Sequence, residues 1–185
     1  MTILKNICVY CGSGPGRNPA YLAAAHKFGR LCATQNIGIV YGGANIGIMG
    51  AIARSTLDAG GRVTGVLPKF WYETPQMHTE LSELIITESM HERKQTMYDL
   101  SDAFVAFPGG IGTLEELVEM MTWSQLGHHS KPIAVANIDN FWQPLISLIE
   151  HMTKDDFIRD GMEVTFEIAD AVEDIIPKLE RRALK

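Results

Sequence analysis

Short, nearly continuous apolar runs rich in β-branched residues alternate with longer stretches of helical spacing along the whole chain. The runs predict strands at residues 7–11, 37–41, 62–67, 84–87, 103–107 and 133–137, with a short one at 164–168. Helical spacing fills the intervals at 19–35, 47–59, 90–100, 114–126, 141–152 and 171–181. Strict alternation of this kind predicts an α/β fold, a Rossmann-like doubly wound parallel sheet with helices on both faces. Strands that are apolar throughout, rather than at every second position, are expected when both faces are covered. Only residues 68–82, with Trp71, Tyr72 and Pro75, read as irregular, and they are expected to form a loop bordering a site.

Three glycine-bearing segments leave these strands. The first is Cys11-Gly12-Ser13-Gly14-Pro15-Gly16 and the second runs from Tyr41-Gly42-Gly43-Ala44 to Gly50. The third, Pro108-Gly109-Gly110-Ile111-Gly112-Thr113-Leu114-Glu115-Glu116, carries the most information. A glycine-rich turn from strand to helix presents bare N–H groups at the positive end of the helix dipole, which favours a phosphate. Glu116 puts a carboxylate beside that cradle, a combination suited to chemistry on a phosphorylated small molecule. The same residues also fit a capping box, with Thr113 as cap and Glu116 reaching back to it. Ligands of open parallel sheets bind beyond the carboxyl ends of the strands, so three such loops can converge on one nucleotide-sized pocket. A dinucleotide cofactor is disfavoured, because the first loop breaks the G-x-G-x-x-G spacing and the second strand ends in Tyr41-Gly42-Gly43 rather than an acid.

A second chemical segment, Ser89-Met90-His91-Glu92-Arg93-Lys94, opens the helix predicted from residue 90. Met90, Arg93, Lys94 and Met97 share one helical face. Either the stems of the two cations pack while their heads reach solvent, or they point into the pocket, Arg93 gripping an anion bidentately and Lys94 adding charge.

Composition narrows the field. At 185 residues, 46% hydrophobic and 21% charged, the chain reads as one domain, 1–185, with an ordinary core. A net charge of −6 without basic clusters argues against a nucleic-acid partner. No apolar run suits a membrane span and the N-terminus lacks a signal-peptide pattern, so a cytoplasmic location is expected. Cys8 and Cys11 have C-x-x-C spacing, but on a strand residues three apart face opposite ways, which disfavours redox chemistry. The histidines show no ligand spacing, and no metal site and no cofactor are expected.

The paired motifs, Ser89 to Lys94 and Pro108 to Glu116, resemble the signature of the LONELY GUY family. Cys11-Gly12-Ser13, Tyr41-Gly42-Gly43, Thr122-Trp123-Ser124-Gln125-Leu126-Gly127 and Lys131-Pro132 match it as well. The family was long labelled lysine decarboxylase, yet nothing in this chain singles out a pyridoxal-binding lysine. The resemblance implies a phosphoribohydrolase that cleaves the N-glycosidic bond of cytokinin riboside 5′-monophosphates, and often of AMP, releasing base and ribose 5-phosphate. It implies Arg93 and Glu116 as catalytic residues. Substrate contacts are expected from Gly12, Ser13, Gly42, Gly43, Met90, Lys94, Gly109, Gly110, Ile111, Gly112, Thr113, Leu114, Glu115 and Thr122. It also implies a homodimer or higher homo-oligomer, to which the exposed-looking Met120, Met121 and Trp123 would contribute. Two departures stand out. Ala44 replaces a glycine common in the family, and the family's substrate-contacting carboxylate in the 70–80 region matches neither Glu73 nor Glu80 decisively.

Glu116 is expected to stabilise an oxocarbenium-like charge at the anomeric carbon, kept ionised by the helix N-terminus and Arg93. The alternative on the same scaffold is a binding protein, like molybdenum cofactor carriers, that holds a phosphorylated ligand without turnover.

Overall fold

The computed structural model describes residues 4–72 and 80–184. Among them, seven strands form one sheet: β1 (Asn6–Tyr10), β2 (Gly38–Tyr41), β3 (Val63–Pro68), β4 (Glu83–Thr87), β5 (Ala103–Ala106), β6 (Ile133–Ala136) and β7 (Glu167–Ala169). Every pairing is parallel. The helices are α1 (Pro19–Thr34), α2 (Gly47–Asp58), a four-residue α3 (Lys69–Tyr72), α4 (Met90–Asp99), α5 (Ile111–Gln125), α6 (Gln143–Lys154) and α7 (Ile175–Ala183). Short 3₁₀ turns at Ile138–Asn140 and Val172–Asp174 precede α6 and α7.

The α/β expectation holds, and alternation within β1 shows why its strands are apolar throughout. Ile7 and Val9 pack with Phe28 of α1, Ile52 of α2 and Ile176 of α7, whereas Cys8 and Tyr10 pack with Met97 of α4, Leu117 of α5 and Ile146 of α6. Fully burying a side chain such as Phe28 or Met97 contributes about 1.5–3 kcal/mol relative to exposure. The same alternation puts Cys8 and Cys11 in opposite layers as free, buried thiols, and burial pushes Cys8 up to about 12.

Local signals set the helix starts. Asn18 Oδ1 accepts from Ala20 N at 2.9 Å ahead of Pro19. Ser89 Oγ accepts from Glu92 N at 3.1 Å, and Glu92 Oε2 accepts from Glu88 N at 2.8 Å. A reciprocal cap therefore starts α4 rather than α5. The expected cap at Thr113 is overturned: α5 begins at Ile111 with Gly110 at its N-cap, and Glu116 lies in its second turn. Met120 and Met121, read as exposed, are buried against the sheet because α5 turns a broad apolar face inward. Part of the irregular 68–82 stretch is α3; Glu73, Pro75, Gln76, Met77 and His78 lie outside the described residues.

The strand order is β4-β3-β2-β1-β5-β6-β7. The chain winds outward from β1 to β4, then returns to the other side of β1 with β5. The loops after β1 and β5 therefore part in opposite directions, and the crevice between them is where this architecture places a ligand.

Candidate active site

The loops after β1, β2 and β5 meet at that crevice, and glycine is needed where they touch. Gly12 N donates to Pro108 O at 3.1 Å, joining the first loop to the third. A Cβ on Gly109 would come within 2.1 Å of Thr113 Oγ1 and 2.8 Å of Gly12 N. Two helices start here, but their N-termini are not equally free. Met49 N and Ile48 N at the start of α2 donate to Gly12 O and Gly14 O, at 3.2 and 3.4 Å. No side chain caps α5, whose first intrahelical bond is Leu114 N to Gly110 O at 3.1 Å. The N–H groups of its first turn are thus the ones left to receive an anion. A cavity of about 350 Å³ lies against this loop, lined by Gly12, Ser13, Gly14, Gly109, Gly110 and neighbouring residues.

A second cavity, of about 380 Å³, shares Ser13 with the first and contains the charged groups. Arg93 and Glu116 form an ion pair at its wall, with Nη1 donating to Oε1 at 2.6 Å and side chains only 4% and 10% exposed. Arg93 Nε also donates to Val66 O at 3.0 Å, so strand β3 fixes the guanidinium from behind. Gly42 makes room for it, since a Cβ there would fall 2.5 Å from Arg93 Nη2. Burial pushes the Glu116 carboxyl above its ordinary range, and the attraction and hydrogen bond of Arg93 only partly oppose this. Arg93 favours the ionised form as expected, but desolvation, which the sequence does not show, outweighs it and sets the direction of the shift. A carboxylate so placed is a stronger base than glutamate in water, and it already has a fixed orientation.

Of the other expected contacts, Gly42, Met90, Gly112 and Glu115 line this second cavity. Lys94 does not line it. Its ammonium donates to Glu115 at 2.5 Å and Glu119 at 3.0 Å. Burial alone would lower Lys94, but those two hydrogen bonds outweigh it and its pKa is raised. Lys94 thus acts on the site through Glu115. Gly43 is buried with φ +83°, against Leu67, and supports the turn. Thr113 is buried beside Gly109. Ile111 and Leu114 border an apolar groove with Phe141, Leu145 and Leu148 on the outer side of the third loop. Thr122 is exposed near the end of α5, its hydroxyl donating to Val118 O at 2.7 Å. Glu80 is exposed and is not among the cavity-lining residues, while Glu73 lies outside the described residues.

Ala44, Ile46, Met49 and Trp71 also line the cavity, although sequence reasoning did not single them out as contacts. Trp71 belongs to the stretch expected to border a site and Ala44 to a noted departure in the second loop, whereas Ile46 and Met49 had no signal beyond their position after β2. Among the described residues, no group of three or more His, Cys, Asp or Glu side chains is placed to hold a metal ion. No helix of the described residues is long and apolar enough to cross a membrane.

Residues 49–179 match the family described as possible lysine decarboxylase. The chain is 44% identical over 155 residues to a cytokinin riboside 5′-monophosphate phosphoribohydrolase of Rhodococcoides fascians, covering 83% of this chain and 78% of that protein. It is 41% identical over 175 residues to a probable enzyme of the same name from Oryza sativa subsp. japonica, covering 95% and 78%. Among solved structures, a molybdenum cofactor binding protein from Rippkaea orientalis superposes with a TM-score of 0.70 at 23% identity, covering 95% of this chain and 96% of that one. At that identity the likeness speaks for the fold alone.

Proposed function

We propose, for a chain that belongs to the LONELY GUY family matched above, that it hydrolyses the N-glycosidic bond of cytokinin riboside 5′-monophosphates, of AMP, or of both. It is a hydrolase whose products are the free base and ribose 5-phosphate. The observation that carries this reading is the buried Arg93–Glu116 pair lying between an uncapped glycine-rich helix start and a mostly apolar cavity.

The first turn of α5 and the Gly109–Gly110 turn hold the 5′-phosphate. That anchor places the ribose against Glu116 and directs the base into the apolar cavity, so phosphate binding energy positions the reacting bond. As the C1′–N9 bond lengthens, its electron pair leaves with the base and positive charge develops at C1′. The Glu116 carboxylate faces that charge. It also accepts a proton from the attacking water, whose oxygen bonds to C1′; the departing base gains a proton from solvent and Glu116 returns its own to solvent, so one water is consumed overall. Arg93 holds Glu116 in place and offsets part of its burial cost.

The binding-protein alternative has only a shared fold in its favour. The three buried thiols fit a cytoplasmic location. A homodimer or higher assembly is part of the same proposal. Met120 and Met121 do not serve it, but the exposed Ile111, Val118 and Leu148 offer apolar surface for a second copy. Light scattering should return at least twice the monomer mass, and a monomer would refute that part. The test of the function is kcat/KM for AMP against adenosine. AMP should be favoured by at least roughly 100-fold, as expected for losing several charge-assisted hydrogen bonds. Equal values would show that the loop is only a turn.

A further inference from the structure

The catalytic loops leave the carboxyl ends of the strands, and a separate cavity opens at the opposite edge of the sheet. It holds about 390 Å³ and lies beside Ile133, the first residue of β6, and Thr165, which shortly precedes β7. Ser124 in the last turn of α5, Ser130 and Lys131 in the turn that follows, and Arg182 near the end of α7 complete its polar lining. About 20 Å of helix separates Ser124 from Ile111 at the start of α5, so this cavity is distinct from the substrate site.

Its charge runs against that of the chain. Acidic residues outnumber basic ones by 22 to 16 overall, yet no carboxylate lines this cavity. Among the described residues, neither Lys131 nor Arg182 belongs to an ion pair. The Arg182 guanidinium and the hydroxyls of Ser124, Ser130 and Thr165 make no hydrogen bond to another described residue. Lys178, one turn earlier on α7, differs in donating to Ile168 O. Lys131 is fixed in place, with Nζ donating to Tyr98 O at 2.7 Å and lying 3.8 Å from the Tyr98 ring centroid. Partial burial lowers its pKa, and the charges of Asp99 and Asp102 only partly oppose this. A partly desolvated ammonium and an unengaged guanidinium therefore belong to one cavity wall without a counter-charge in it.

The groups that would repel an anion there are already engaged. His129 Nδ1 accepts from Lys131 N at 3.1 Å, so Nε2 carries the proton and donates to Met120 O at 3.1 Å. Leu126 N, Gly127 N and His128 N donate to Thr122 O, Ser124 O and Trp123 O. The last carbonyls of α5 are thereby matched with donors, which blunts the negative end of its dipole beside the cavity.

We propose that this cavity is a second anion site, which binds the phosphate group of a small phosphorylated metabolite. Arg182 grips two phosphate oxygens, the three hydroxyls donate to the others, and Lys131 adds positive charge. Donors from α5, from the turn after it, from the approach to β7 and from α7 suit a tetrahedral oxyanion better than a planar carboxylate. The volume matches the cavities of about 380 and 350 Å³ at the catalytic site, which leaves room for the rest of the molecule.

The test follows backbone amides by two-dimensional NMR as inorganic phosphate or glycerol 3-phosphate is added to the purified protein at constant ionic strength. Wild type should show saturable shifts at Ser124, Ser130, Lys131 and Thr165, separate from those of the Gly109–Gly110 loop. Arg182→Ala should weaken binding at the first group by roughly 10- to 100-fold, as expected for losing charge-assisted hydrogen bonds, and leave the loop's response unchanged. Arg182→Lys, which keeps the charge but loses the planar fork, should fall between the two. Both variants should melt like wild type, because Arg182 is bonded to no described residue. Saturable shifts confined to the Gly109–Gly110 loop overturn the proposal, as does an unchanged affinity in Arg182→Ala. A response to inorganic phosphate but not to glycerol 3-phosphate overturns the assignment to a phosphorylated metabolite.

Discussion

Removing the Glu116 carboxylate perturbs two things that different substitutions can separate. Glu116→Ala leaves Arg93 as a buried cation that, among the described residues, keeps its bond to Val66 O at 3.0 Å and its place over the Trp71 ring. Deleting one partner of a buried ion pair costs about 3–5 kcal/mol, because the other charge is left unpaired out of water. For a chain of this size the melting temperature should fall by roughly 6–20 °C. Glu116→Gln keeps an oxygen that can accept from Arg93 Nη1, so its loss of stability should be smaller, about 1–3 kcal/mol. The catalytic charge is gone in both. If that charge faces the developing cation at C1′, kcat for AMP should drop by roughly 10²-fold or more in Glu116→Gln, although the fold survives. The assay is steady-state adenine release, with melts on the same preparations. Glu116→Gln at near wild-type turnover would remove the carboxylate from the chemistry. Glu116→Ala melting like wild type would show that the pair is not the tight, desolvated contact described.

Three further outcomes are expected. Gly109→Ala forces a Cβ into Thr113 Oγ1 and Gly12 N, so kcat/KM for AMP should fall roughly 10- to 100-fold while the slow cleavage of adenosine is unchanged; an equal loss on both would place the phosphate elsewhere. Burial raises the Glu116 pKa and the ionised form is the active one, so kcat/KM should fall as pH drops through that raised value; an acid limb at or below 4.5, the ordinary value, would contradict this. The stability contribution of the same group has the opposite trend: it is full below the ordinary carboxyl range and lost as pH rises through the raised pKa. Lys94→Met should raise KM for AMP by roughly 10-fold with a smaller change in kcat, because it frees Glu115 from its position in the cavity wall; an unchanged KM would make the Lys94 bridges purely structural.

The strands were legible because burial on both faces left continuous apolar runs, and all seven lie within a few residues of their expected places. Arg93 and Glu116 were legible as chemistry because a cation on an inward helical face and a carboxylate after a glycine turn each break the local pattern. The start of α5 was misread. Thr113 and Glu116 imitate a capping box, but Gly110 caps the helix three residues earlier, and the exposed Ile111 gives no periodic signal. The raised pKa of Glu116 was not legible either, since desolvation depends on what packs around the carboxyl and not on its neighbours in sequence. Trp71 was legible as part of an irregular stretch that could border a site, but not as a lining residue. Its place over Arg93 arises from the crossover between β3 and β4, which no local pattern encodes.

The most direct measurement is a product balance on AMP and on N6-isopentenyl-AMP, following free base, ribose 5-phosphate and inorganic phosphate together. Cleavage at C1′ predicts equal amounts of base and ribose 5-phosphate, with no inorganic phosphate, and predicts that Glu116→Gln suppresses both products in parallel. Release of inorganic phosphate instead, or nucleotide bound and recovered intact, would contradict it.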